Sequence, residues 1–164
     1  MVGHAYQCEL ALAAAFQALV AHVAGGKPSA TAPAFTYLMT PKQFDTVRRI
    51  CDRQGWPIPN CRGILIDADA VQHPLEQRAI KDGCSRAEVE DILVKAYCPH
   101  SVVRINRERG RQAIMLNAHQ RVKVGACSLY GFAIVELKTA GLKNYLAPVT
   151  AYHASEAKRR ALLI

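Results

Sequence analysis

The apolar pattern changes period once along this chain, near residue 100. Before that point it is helical. Between Tyr6 and Ala24 the run is rich in Ala and Leu and free of proline, and Leu10, Ala14, Leu19 and Val23 recur at near-helical spacing until Gly25-Gly26 stops them, which predicts a helix. Residues 27–34 carry Pro28, Ser29, Thr31 and Pro33 and read as a linker. Thr40-Pro41-Lys42-Gln43 supplies an N-cap, a proline at the first helical position and a capping-box glutamine, opening a helix that ends at Gly55 with Phe44, Val47, Ile50 and Cys51 facing inward. Arg62–Ile66 reads as a short buried strand.

Asp67-Ala-Asp69 can cap the helix that follows. Pro74 disfavours helical geometry at His73, so this helix either starts at Asp69 and kinks or starts at Pro74 with His73 as its cap, and it ends before Gly83. Both readings put His73 near a helix N-terminus. A second capping box, Ser85-Arg-Ala-Glu88, opens a helix with Val89, Ile92, Leu93 and Ala96 as its stripe, closed by Cys98-Pro99. Beyond it, residues 102–106, 112–116, 122–124, 129–137 and 146–152 read as strands of one antiparallel sheet. The expected class is α+β: N-terminal helices packed on a curved antiparallel sheet formed by the C-terminal part, divided as helix and linker (1–34) and an α+β domain (35–164).

Charge separates the two halves as well. Residues 1–100 hold ten Lys/Arg against ten Asp/Glu, whereas residues 101–164 hold eleven Lys/Arg against Glu108, Glu136 and Glu156 alone, so the whole formal excess of +8 lies in the C-terminal part. This asymmetry fits a polyanionic partner, since each neutralised phosphate releases counterions; its plainer meaning is solubility. The six cysteines show no C-x-x-C spacing, and a chain of 164 residues has core enough without disulfides. Cys98 and His100 offer two metal donors with no matching pair, so neither metal nor cofactor is expected. The N-terminal run is interrupted by Glu9, Gln17 and His22 and lacks a basic lead, unlike a secretory signal, and is too short and polar to span a bilayer.

Phosphate-binding loops of the G-x-x-x-x-G-K-S/T and G-x-G-x-x-G types, H-E-x-x-H and G-x-S-x-G are all absent. What remains is a histidine on a helix and a basic strand bearing hydroxyls. Alternation from Val149 to Tyr152 puts Thr150 and Tyr152 on one face, framed by His153, Lys158, Arg159 and Arg160. Arg104 opposes Val103 and Ile105, facing either solvent or a cleft. Arg78 either enters the cleft of His73 or pairs with Glu76 or Asp82. Arg111, Arg121 and Lys123 complete the candidate substrate-binding cations.

The order of parts from Ile64 onward resembles the barnase/EndoU/colicin/RelE-type (BECR) ribonucleases, in their phage- and toxin-associated branch. The resemblance rests on Ile64-Leu-Ile-Asp67 leading to His73, on the Ser85 helix ending at Cys98-Pro99, and on Val102-Val-Arg104. Phe132-Ala-Ile-Val-Glu-Leu137 and Pro148-Val-Thr-Ala-Tyr152 complete it. It implies metal-independent RNA cleavage by 2′-oxygen attack through a 2′,3′-cyclic phosphate. It further implies His73, Arg104, Thr150 and Tyr152 as the catalytic set, with Arg78 where such proteins often carry a second histidine. An acidic immunity or antitoxin protein is the implied protein partner, and the cytoplasm, including that of a target cell after delivery, the implied location. The competing class is a non-catalytic basic module that binds nucleic acid or belongs to a phage particle, which has no need for His73, Thr150 and Tyr152 to converge.

Overall fold

The computed structural model describes residues 4–107, 111–124, 127–155 and 157–158, with the side chains of 119–124 and 127–128 outside that description. The chain is α+β, with four helices and two sheets in the order β1 (Ala5–Tyr6), α1 (Glu9–Ala24), β2 (Phe35–Leu38), α2 (Pro41–Gln54), β3 (Gly63–Ile66), α3 (Ala68–Asp82), α4 (Arg86–Ala96), β4 (Val102–Asn106), β5 (Ala113–Val124), β6 (Cys127–Ala140) and β7 (Lys143–Ala154). The C-terminal four strands form an antiparallel meander, β4-β5-β6-β7. The segments 112–116 and 122–124, read from sequence as two strands, belong to the single strand β5. A register shift between Asn117 and Arg121 interrupts its pairing with β6 and accounts for the break in its alternation.

A second, three-stranded sheet, β1-β2-β3, lies in the first half of the chain; β1 runs parallel to β2, and β2 antiparallel to β3. Only β3 among its strands is legible in the sequence, as a short apolar run between turn signals; β1 and β2, of two and four residues, carry no such run. Helix α1 places Leu12, Phe16, Leu19 and Val20 in the same core as Ile92 of α4 and Leu116 and Ala133 of the meander. Its Phe16 ring meets Phe35 edge-on at 4.9 Å.

The two capping boxes form as the sequence predicts. The capping glutamine of α2 does more than close a turn. Buried Gln43 accepts from the Tyr37 hydroxyl at 2.6 Å and donates to the carbonyls of Cys98 at 2.8 Å and Ser101 at 3.0 Å. One amide thereby ties α2, β2 and the entry to β4 together, with its own polar groups paired. At the other edge of the meander, Asn144 N–H donates to Asn60 Oδ1 at 2.6 Å and Asn60 N–H to the Asn144 carbonyl at 2.9 Å, anchoring the start of β7 to the loop before β3.

Helix α3 decides between the two readings around Pro74 in favour of the earlier start. The helix begins at Ala68, capped by Asp67, whose side chain accepts from Ala70 N–H at 3.0 Å, and it runs through Pro74 to Asp82. His73 is therefore an exposed residue of the second turn and not a cap. The ring removes one backbone hydrogen bond, but Val71 and Pro74 are both buried, so the apolar face they supply offsets part of that loss.

Candidate functional site

The meander's two faces are sorted by register. Ala151 pairs with Ala133, and both lie in the main core under the helices; Thr150 pairs with Ile134 and Tyr152 with Phe132, and Ile134 and Phe132 belong to a second apolar cluster. The alternation read from sequence thus holds: Thr150 and Tyr152 share one face, while His153, opposite Gly131, takes the other and meets α3. Because β7 is an edge strand, a cleft can wrap over it.

Such a cleft is present, with a volume of about 430 Å³. Helix α3 lines it with His73, Gln77, Arg78 and Lys81, strand β7 with Thr150, Tyr152 and His153, and Asn106, Ile134 and Lys158 complete it. Spacing on α3 explains its share: residues 73, 77 and 81 recur every four positions and so occupy one helical stripe, with Arg78 beside it. Among the described residues the wall contains three fixed cations, two imidazoles, a phenol and a threonine hydroxyl, and no carboxylate.

Tyr152 is held from both sides. Its ring stacks on Phe132, and Lys158 Nζ lies 5.5 Å from its centroid, within cation–π range. Arg78 Nη1 donates to Asp82 Oδ2 at 2.6 Å, and Asp82 Oδ2 lies 3.5 Å from His153 Nε2, so one carboxylate outside the lining braces two cleft residues. The distance to His153 does not amount to a hydrogen bond, and Nε2 is buried without a hydrogen-bond partner among the described residues.

Other expected site residues lie elsewhere. Arg104 does not line the cleft: it lines a separate depression with Lys42, Thr46, Pro99 and His100, and its Nη1 donates to the Val103 carbonyl at 2.9 Å. The reason is position along β4: Arg104 lies with the Pro99–Val103 end of the strand, whereas Asn106, two residues on, reaches the cleft. Arg111 is exposed, 3.8 Å from Glu136 Oε2, and is likewise outside the cleft lining. The side chains of Arg121 and Lys123, and all of Arg159, lie outside the described residues.

Gln77, Lys81 and Asn106 are site residues that the sequence reading missed. The first two become visible once the helix is known to pass through Pro74. Asn106 follows from the alternation, two residues beyond Arg104 on the same strand face.

For metal donors, Asp82, Cys84 and His153 form a group, among the described residues, whose ligand atoms all lie within 4.8 Å of one another. Burial, with the Glu88 and Asp82 carboxylates adding to it and Arg78 opposing, pushes the Cys84 thiol up from its ordinary range. Cys98 and His100, the donors singled out from the sequence, are not part of this group. No helix among the described residues is long and apolar enough to cross a membrane. No protein-family model, curated protein or solved structure matches the chain.

Proposed function

We propose that the chain is a metal-independent endoribonuclease, acting in the cleft between α3 and β7. One observation carries the reading: six residues singled out from the sequence, His73, Arg78, Thr150, Tyr152, His153 and Lys158, line a single cleft that has no carboxylate among the described residues of its wall. A wall of that charge attracts a phosphodiester, and its imidazole and phenol groups are of the types that transfer protons.

In this reading His73 and Tyr152 are the acid/base pair. One takes the proton of the ribose 2′-hydroxyl as the 2′-oxygen attacks phosphorus; the other protonates the 5′-oxygen as the P–O5′ bond breaks, leaving a 2′,3′-cyclic phosphate. Arg78, in place of Arg104, balances the extra negative charge of the phosphorane, with Lys81 and Lys158 beside it and Thr150 donating to a phosphate oxygen. Asp82 positions Arg78. The reading agrees with the resemblance to BECR ribonucleases, with an acidic immunity or antitoxin protein as the natural cover for so basic a cleft, and with the cytoplasm as the place of action.

The test is incubation of the purified chain with total RNA and with the matching DNA, in the presence of a chelator. Cleavage of RNA alone, leaving 2′,3′-cyclic ends and falling on the order of a hundred- to ten-thousand-fold in His73→Ala, is the expected result. A shift in RNA mobility without cleavage would establish a non-catalytic nucleic-acid-binding module instead.

A further inference from the structure

The geometry points to a second site behind the cleft: Asp82, Cys84 and His153 form a binding site for one zinc-class divalent cation, pinning the end of α3 to strand β7. The inference does not rest on the ribonuclease reading, because the ion takes no part in the chemistry proposed for the cleft.

The local chain explains why these three side chains meet. Asp82 is the last residue of α3, and Gly83 adopts φ 65°, a left-handed conformation that glycine enters without steric cost. The reversal is fixed by Gly83 N–H donating to the Ala79 carbonyl at 3.2 Å and Cys84 N–H to the Arg78 carbonyl at 3.0 Å. Cys84 is thereby turned back under the helix end and buried, while His153 arrives from β7 on the helix-facing side of the sheet. The donors thus come from two elements that are held in place independently of any ion.

Three physical features favour a cation there. The Nε2 atom of His153 is buried and meets no hydrogen-bond partner among the described residues, a loss that coordination would repair. Tetrahedral coordination at about 2.0–2.3 Å sets donors roughly 3.3–3.7 Å apart. Asp82 and His153 are already 3.5 Å apart, and the whole group lies within 4.8 Å, so closing it takes roughly an ångström of side-chain movement. The C-terminal end of α3 presents the negative end of the helix dipole.

The charges also balance. A carboxylate and a thiolate neutralise a divalent ion, and Asp82 Oδ2, which stands 3.5 Å from His153 Nε2 and accepts from Arg78 Nη1, has lone pairs enough to ligate the ion and keep the guanidinium. Binding replaces the Cys84 S–H bond by a sulfur–metal bond and releases one proton to solvent, with water in the fourth position. Thiolate, imidazole and carboxylate together suit Zn²⁺ or Co²⁺, whereas Mg²⁺ and Ca²⁺ require an oxygen shell.

Cobalt is the probe, because a thiolate–Co²⁺ bond gives a charge-transfer band in the near ultraviolet and tetrahedral Co²⁺ absorbs intensely in the visible. Titration of Co²⁺ into the full chain should produce both signals, saturate at one equivalent and be reversed by Zn²⁺. Cys84→Ser should abolish the charge-transfer band, Cys61→Ser should leave it unchanged, and Asp82→Asn should weaken affinity by at least roughly the ten- to hundred-fold seen for loss of an outer-shell partner. Saturating Zn²⁺ should raise the melting temperature of the wild type and not that of Cys84→Ser. Absence of both bands in the wild type, or their persistence in Cys84→Ser, would overturn the assignment. Should Cys84→Ser fail to fold by circular dichroism, the wild-type titration and Asp82→Asn decide the matter between them. RNA cleavage by the chelated protein supports the reading of the cleft and leaves the cobalt titration to decide the cation site, so the two proposals fail separately.

Discussion

The rings of Tyr152 and Phe132 lie stacked, with centroids 5.4 Å apart and planes inclined by 15°. Phe132 is fully buried and Tyr152 only partly, so the first acts as a platform that fixes the second at the cleft. Two substitutions separate these roles. Tyr152→Phe keeps the stack and removes only the hydroxyl: RNA cleavage should fall on the order of a hundred- to ten-thousand-fold with the melting temperature little changed. Phe132→Ala should instead cost about 3–5 kcal/mol of stability. Cleavage by Tyr152→Phe at the wild-type rate would remove the phenol from the mechanism.

The cleft cations predict a salt dependence. Lys81 and Lys158 line the cleft and have no ion pair among the described residues, so each is available to a phosphate. Replacing either by alanine should lower the slope of log affinity against log salt, measured with single-stranded RNA, by about 0.7. Arg111→Ala should change the slope less, because Glu136 already stands near that guanidinium. Equal slopes in wild type and both lysine variants would mean that the nucleic acid binds elsewhere.

Gly131 marks a close approach of α4 to the meander. A Cβ added there would stand 2.8 Å from the Ile92 carbonyl oxygen and 3.4 Å from its Cα, both backbone atoms that cannot swing aside. Gly131→Ala should therefore push α4 off β6 and destabilise by about 1–3 kcal/mol, read as a lowered urea midpoint with an unchanged m-value. A midpoint equal to wild type would contradict this packing.

Asp91 on α4 gives the stability curve a sign. Burial pushes its carboxyl up, Lys95 opposes this and Glu9 adds to it. With the folded pKa above the unfolded one, the native state holds the extra proton, so stability declines as pH rises from about 4 through the raised value. Above that window the penalty is constant. Asp91→Asn removes it, so the variant's advantage in denaturant titrations should grow with pH across the window and then level off. An advantage of the same size at every pH would show that the carboxyl is not perturbed.

The amino-acid sequence by itself determined the class of fold and the local punctuation. Capping boxes at Thr40 and Ser85, left-handed glycines at 55 and 83 and the alternation through Thr150 and Tyr152 are all local rules, obeyed because each depends on a few adjacent residues. Where long-range packing competes with a local rule, the sequence leaves two readings open: Pro74 disfavours helix at His73, yet Asp67 caps the helix upstream and Val71 and Pro74 bury its face, so it continues. Tertiary structure alone decided the membership of the site. Arg104 and Arg78 are equally basic in the sequence, and only the packing of α3 against β7 and of the start of β4 against α2 puts Arg78 within the cleft and Arg104 outside it. The same holds for Asp82, Cys84 and His153. Their donors share no sequence spacing, and it is the reversal at Gly83 together with the docking of α3 on β7 that brings them within reach of one ion.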